Sequence, residues 1–391
     1  MKKLTAALAT LIALGATGCA SSTAAVTTAA SAQCLPAGVD GVSIVAAAHQ
    51  GASTRIPDQV ACAVGEALLQ GLPVSAISAQ GTPTVVLKNY RLDATKSNSD
   101  ENLKATAVAK GREIMTALTS IKPSSDGDDL NSALKLADDM ARAGGAKNPL
   151  VISTDPGLTD TGAIRMTTPG MLVADADEVA ASVKDANQCP VRPGTRVLYY
   201  GLGYGVAPQQ ILTPSDQRNV SKIWVQVVLA CQGTATEVSE PAQGSGPQTS
   251  YTVTPVPPTP YQTAKLGDTA KLDDPMTMAG ASPLSFAPDK AEFTSPDEAT
   301  SVLQGVADTL RTHPTWRLHV EGTTANGSTA YPSLKALGQA RADAVKAALV
   351  KLGIDPGRIT SHGSGYTANP PQVDPATAAL NRRTTLTYSL S

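Results

Sequence analysis

The chain has 391 residues, enough for two ordinary domains with separate cores. Its formal charge of −2, with no long basic run, argues against a nucleic-acid or anionic-membrane footprint. An aromatic content of 3%, with two Phe and two Trp, argues against an oligosaccharide platform of stacked rings. The cores fall to Ala, Val, Leu and Ile, which give thin helix faces.

Met1-Lys2-Lys3 is a basic start, and Leu4 to Gly15 is an apolar stretch too short to span a bilayer as a mature helix. It ends in LGATGCASS. The small residues leading to Cys19 resemble the lipobox of bacterial lipoproteins, with Ala16 where a bulky aliphatic is usual. That resemblance implies a signal peptide over 1–18, acylation (palmitate) at Cys19 and a lipid anchor on the extracytoplasmic side of a cell membrane. An ordinary secretion signal is the alternative. Residues 20–33, small, polar and unpatterned, read as a flexible tether, so that 19–33 leads away from the membrane. Apart from Cys19, the chain holds Cys34, Cys62, Cys189 and Cys231. An even set without metal-ligand spacing predicts two disulfides in an oxidising compartment, with three pairings open.

Strand-like and helix-like segments alternate over 34–233. GVSIVAAA, TPTVVLKNY, NPLVIST and TRVLYYGLG are short apolar strands. Helices are predicted from Pro57 to Gly71, over Asp100–Ser120, over Asp128–Ala143 and over Ser215–Cys231. The alternation predicts an α/β fold with a doubly wound parallel sheet, covered on both faces. GLGYG (Gly201, Gly203, Gly205) lacks the spacing of a nucleotide loop and is followed by Pro208, so it reads as a strand-end loop.

The stretch GDDLNSALKLADDMARAGGAKNPLVISTDPGLTD resembles the middle of a von Willebrand factor type A domain. That family holds a divalent metal at the C-terminal edge of its sheet. Here Ser53, Asp128 (or Asp129) and Asp155 fall at ligand positions, but the leading Asp is missing from AAAHQGAST and His49 is no hard-cation ligand. The resemblance therefore implies the fold with a degenerate metal site and no bound metal or other cofactor.

Residues 234–282 are rich in proline, and EPAQGSGPQTSYTVTPVPPTP predicts an extended spacer between two domains. Beyond it, 283–391 reads as a compact α/β sandwich with helices on one face. Ser295 and Glu298 form a capping-box pattern with proline between them, and Ala299, Val302, Leu303, Val306 and Leu310 make one helix face. WRLHVEG is a strand, IDPGRITSHGSGYTANPP a loop-rich return and NRRTTLTYSL a final strand. The intervening helix carries Arg341 within the stripe Leu337, Val345, Ala348 and Leu352.

The order of Val320-Glu321-Gly322-x-Thr324, Tyr331, Leu337, Ala340-Arg341-Ala342, Leu352-Gly353-Ile354, Gly363-x-Gly365-Tyr366 and Asn381-Arg382-Arg383 resembles the OmpA-like domain that holds peptidoglycan non-covalently. The resemblance implies that Arg341, with Arg382 as a second donor, takes a carboxylate of the stem-peptide diaminopimelate. It places Asn381 beside Arg382, and Thr324, Ala325 and Asn326 in the turn where the family has an aspartate for the diaminopimelate amine. That aspartate is absent. An intramolecular ion pair of Arg341 with Glu321 or Asp343 is the competing expectation. His49, His313, His319 and His362 are scattered, and no catalytic constellation emerges. The expected function is a non-enzymatic, lipid-anchored cell-envelope protein that tethers to peptidoglycan, with a possible protein partner for its N-terminal domain. The alternative is a wall-independent interaction scaffold whose site has degenerated.

Overall fold

Short apolar runs bounded by Gly, Pro and Asn become the strands of a six-stranded sheet. The structure is a computed structural model that describes residues 34–93, 99–259, 267–279, 282 and 284–390. The expected signal peptide, Cys19 and the expected tether lie outside the described residues. The strands of the first sheet are β1 (Gly41–Ala47), β2 (Val74–Ala79), β3 (Thr84–Tyr90), β4 (Pro149–Ser153), β5 (Arg196–Tyr200) and β6 (Thr234–Val238), in the order β3-β2-β1-β4-β5-β6. All neighbours are parallel except β2 and β3, which makes β3 an antiparallel edge with much of its surface exposed.

Helices cover both faces, and alternate strand residues serve opposite cores. Ile44, Ala46, Leu150 and Ile152 pack with α1 (Asp58–Leu69) and α2 (Asp100–Thr119). Val45, Ile77, Val151 and Tyr199 pack with α3 (Leu130–Ala143), α4 (Ala176–Asp185) and α5 (Pro214–Ala230). Two disulfides, Cys34–Cys62 and Cys189–Cys231, join the four cysteines. The first bridge pins the segment entering the domain to α1, where Glu66 also accepts from the Cys34 and Leu35 amides.

The second sheet has the order β7-β10-β8-β9, from β7 (Met276–Ala279), β8 (Trp316–Thr323), β9 (Ile359–Gly365) and β10 (Arg383–Leu390). α6 (Pro296–Thr312) and α7 (Leu334–Lys351) supply the apolar layer against it. α7 lies very close to the strands: a Cβ on Gly322 would stand 2.2 Å from the Gly338 carbonyl oxygen. Only glycine permits that approach, and it fixes the height of Arg341 above β8. The predicted loop-rich return, 354–371, instead holds β9, parallel to β8, and the short helix α8 (Pro375–Asn381) follows it.

The proline-rich segment differs from the expected spacer. Its start is β6 of the first sheet, and its middle is tied to the first domain. Val253 and Val256 are buried, the Thr252 and Thr254 amides donate to Asp126 and Asp160, and the Thr259 hydroxyl donates to Asp216. Its end forms β7 of the second sheet. Proline prevents this segment from becoming helix but leaves its remaining amides free to bond to neighbouring side chains.

From Cys34 onward the chain forms one compact unit. Ala376 and Ala379 of α8 belong to the core shared with Met171, Val179 and Ile223. Gly170, at φ +90°, admits this contact, since a Cβ there would meet the Ala376 carbonyl oxygen at 2.4 Å. Ser295 stands at the N-cap of α6 but makes no side-chain cap bond, so the predicted capping box does not form. Glu298 lies 3.6 Å from Arg218 of α5. Among the described residues, no helix is long and apolar enough to cross a membrane.

Candidate functional site

Two places merit a site-by-site account. The first is the crevice at the carboxyl ends of β1 and β4, where the strand order reverses and ligands commonly bind in open α/β sheets. His49 follows β1, Asp155 follows β4 and Asp128 precedes α3; all three are buried. His49 Nε2 lies 3.0 Å from Asp155 Oδ2 and 3.6 Å from Asp128 Oδ2, while Nδ1 lies 2.7 Å from the Gln50 carbonyl oxygen.

Both ring nitrogens therefore face acceptors, which requires both to carry protons. Burial alone would lower the His49 pKa, but Asp128 and Asp155 outweigh it and raise it to about 10. Burial first, and the Asp155 charge second, push the Asp128 carboxyl well above the usual carboxylate range. Ser53, the third candidate, is engaged elsewhere: its hydroxyl donates to the Gln243 carbonyl. These residues do not fit a hard divalent cation. The three ligand atoms stand close enough to hold a metal ion, but an imidazole nitrogen between two carboxylates suits a softer ion than magnesium or calcium, and any metal would first have to displace the imidazolium proton.

The second place is the helix arginine. Arg341 is only 2% exposed, among the largest fully buried side chains in the chain. Its Nε donates to the Lys290 carbonyl (3.0 Å), Nη1 to the Thr323 carbonyl (3.4 Å) and Nη2 to the Ala287 carbonyl (3.3 Å). The guanidinium also lies 5.5 Å from the Phe286 ring centroid. Among the described residues no carboxylate is ion-paired with it.

Neither expected internal partner reaches it. Glu321 accepts from the Ser364 hydroxyl, and Asp343 accepts from Ser361 (2.6 Å) and Gln339 (3.0 Å). Burial, and secondarily the neighbouring Arg382 charge, lower the Arg341 pKa to about 10; Asp289 and Tyr331 oppose this. The group is thus a cation at neutral pH. Three of its five N–H groups are matched by carbonyls, and Nη1 and Nη2 each have one more.

Arg341 borders a cleft of about 130 Å³ together with Arg382, Ala325, Asn326, Asp289 and Glu178. Four of the six sequence-predicted ligand residues therefore meet: Arg341, Arg382, Ala325 and Asn326. The other two do not join them. Thr324 is buried beneath the turn, its amide bonded to the Gly365 carbonyl. Asn381 uses its amide to hold the Pro370 and Thr377 carbonyls. Asn326 is fixed by a two-way bond with Gln372.

Asp289 and Glu178 were not singled out by the sequence. Asp289 sits between Ala287 and Lys290, whose carbonyls Arg341 holds, so the arginine shapes the turn that presents this acid. Glu178 belongs to α4 of the first domain, and its Oε1 accepts from Arg382 Nη2. A legible signal for α4 did exist. Asp175 and Glu178 stand three apart before Val179 and Val183, and Asp175 caps the Asp177 and Glu178 amides.

Comparison with known proteins bears on this second site. An OmpA family domain lies at residues 285–384. Among solved structures, the chain is similar to the cell wall anchor of the T6SS from Pseudomonas aeruginosa, at 30% identity over 30% of this chain and 80% of that one, with a TM-score of 0.25. It is similar to the peptidoglycan-associated lipoprotein from Burkholderia pseudomallei at 30% identity, over 27% and 87% of the two chains, with a TM-score of 0.23. The periplasmic domain of Helicobacter pylori MotB is 18% identical over 30% and 82%, with a TM-score of 0.26. No curated protein matches the chain.

Proposed function

We propose that this is a lipid-anchored, extracytoplasmic protein of the cell envelope that holds peptidoglycan non-covalently through residues 285–384. The observation that carries this reading is Arg341, a buried guanidinium without an ion-paired acid of its own, bordering a cleft shared with Arg382. A buried cation is costly unless an anion meets it. A ligand carboxylate entering the cleft supplies that anion, and the two remaining Nη protons are available donors for it. The OmpA family domain supports peptidoglycan as the ligand class, and the diaminopimelate of its stem peptide, with a carboxylate and an amine at one end, suits the charges of the cleft.

The two disulfides support an oxidising compartment, and Cys19 is the expected anchor. The first domain is a von Willebrand A-like scaffold whose metal position is taken by His49. The protein acts as a tether, and no step of bond chemistry is assigned to it. A second reading, a scaffold that no longer binds wall, draws on the Arg382–Glu178 pair, which already gives one arginine an internal partner. Sedimentation of the mature full chain with purified diaminopimelate-type sacculi distinguishes the two: co-sedimentation supports the tether, and its absence supports the scaffold.

A further inference from the structure

The cleft contains a contribution from outside the OmpA family domain. Glu178 lies on α4, well before residue 285, and is 204 positions from Arg382 in sequence. Its position is over-determined. Asp175 caps the first turn of α4, Val179 and Ala180 are buried in the first domain's core, and α8 is packed against the same core through Ala376 and Ala379. Arg382 stands at the C-cap of α8. The docking of α8 on the first domain therefore brings Glu178 to the cleft.

The carboxylate is only half used. Oε1 accepts from Arg382, whereas Oε2 is shut off from solvent and has no hydrogen-bond partner. A buried carboxylate oxygen left in this way is unfavourable by itself, and a small turn of the Glu178 side chain toward the cleft it lines would let a donor there satisfy it. The same cleft is lined by Arg341 and Arg382, two cations, and by Asp289, an exposed acid on the turn that Arg341 holds. The cleft thus offers two positive and two negative groups. That set matches a zwitterionic amino-acid end better than it matches a plain anion.

We infer that Glu178 supplies the amine-holding acid that the Thr323–Gly327 turn lacks, so that the ligand site is completed across the two domains. This inference rests on the peptidoglycan reading above and adds the residue that recognises the second charge of the ligand. Arg341 and Arg382 take the carboxylate; Glu178 takes the ammonium, with Asp289 as a second acid lining the cleft. The docked arrangement of the domains is then a condition of binding rather than a by-product of folding.

The test uses the full chain and two soluble muropeptides. One carries diaminopimelate with its side-chain amine free, and the other carries the same amine acetylated. The wild type should prefer the free amine by about tenfold or more, the size of one charge-assisted hydrogen bond. Glu178→Gln, which keeps the shape and removes the charge, should lose that preference and bind both probes alike. Glu178→Asp should retain part of it, and thermal melts confirm that each variant is folded. If Glu178→Gln still discriminates between the probes, or binds the free amine as tightly as the wild type or more tightly, the inference is overturned, because Glu178 then only competes with the ligand for Arg382. If the wild type binds neither probe, the wall-binding reading fails and takes this inference with it.

Discussion

Glu178 and Arg382 form an ion pair between a helix of the first domain and the C-cap of the last helix. The pair is partly shielded, with Arg382 14% and Glu178 36% exposed at the side chain, so solvent screening reduces its contribution to stability. Its greater consequence is geometric, because it aligns one arginine of the cleft while leaving Arg341 without an acid.

That alignment depends on Gly170. Gly170→Ala places a Cβ against the Ala376 carbonyl oxygen at a backbone angle that side chains rarely adopt. The substitution should destabilise the α8 contact by about 1–2 kcal/mol from the backbone conformation alone, more with the clash. Hydrogen exchange of the 375–381 amides should quicken while that of β1 and β4 stays slow. Unchanged exchange over 375–381 would show that α8 does not need this close approach.

The buried triad gives a stability signature with a definite sign. His49 has a folded pKa of about 10, above the ordinary histidine value of about 6.5. Its stabilising contribution is therefore complete below about pH 6.5, declines as pH rises and is gone above about pH 10. His49→Gln leaves the buried Asp155 carboxylate without its ion partner and should cost about 3–5 kcal/mol at pH 6. Denaturation of both proteins across pH 6 to 9 should show them converging. Excess magnesium should leave the wild-type Tm in place, and a marked rise would contradict the fit of an imidazolium at this position.

Much of the fold could be read from residues, and the exceptions have physical causes. β1, β4 and β5 stand out as apolar runs, and α7 stands out by its three-four spacing. β2, Val74–Ala79, escapes because serines interrupt its apolar pattern, although every residue in it is buried. β9 escapes because Thr360, Ser361, His362 and two glycines look like loop, whereas Gly363 is there to admit α7, where a Cβ would meet the Gln339 amide nitrogen at 2.2 Å. Arg341 stands out in the sequence as a charge within an apolar helix stripe, whereas Arg382 is singled out only through the family resemblance. Glu178 was not legible, since its role arises from a contact across 204 positions that no local pattern encodes.

Anchoring is tested at the other end of the chain. Cys19→Ser should move the mature protein from the membrane fraction to the soluble fraction, because without acyl chains the small polar tether offers no apolar surface to a bilayer. Membrane fractionation equal to that of the parent would contradict lipid anchoring at Cys19.

If the buried guanidinium of Arg341 receives a ligand carboxylate, Arg341→Lys is the substitution that exposes it with least disturbance elsewhere. Arg341→Ala is less informative, since it also abandons the Ala287, Thr323 and Lys290 carbonyls and so weakens the fold itself. Lysine keeps the positive charge but lacks the planar fork. The measurement is the affinity of the full chain for diaminopimelate-type sacculi, with thermal melting recorded on the same samples. Arg341→Lys should remain folded and lose about tenfold or more in affinity if the guanidinium receives the ligand carboxylate. Binding by Arg341→Lys that equals the wild type would contradict it.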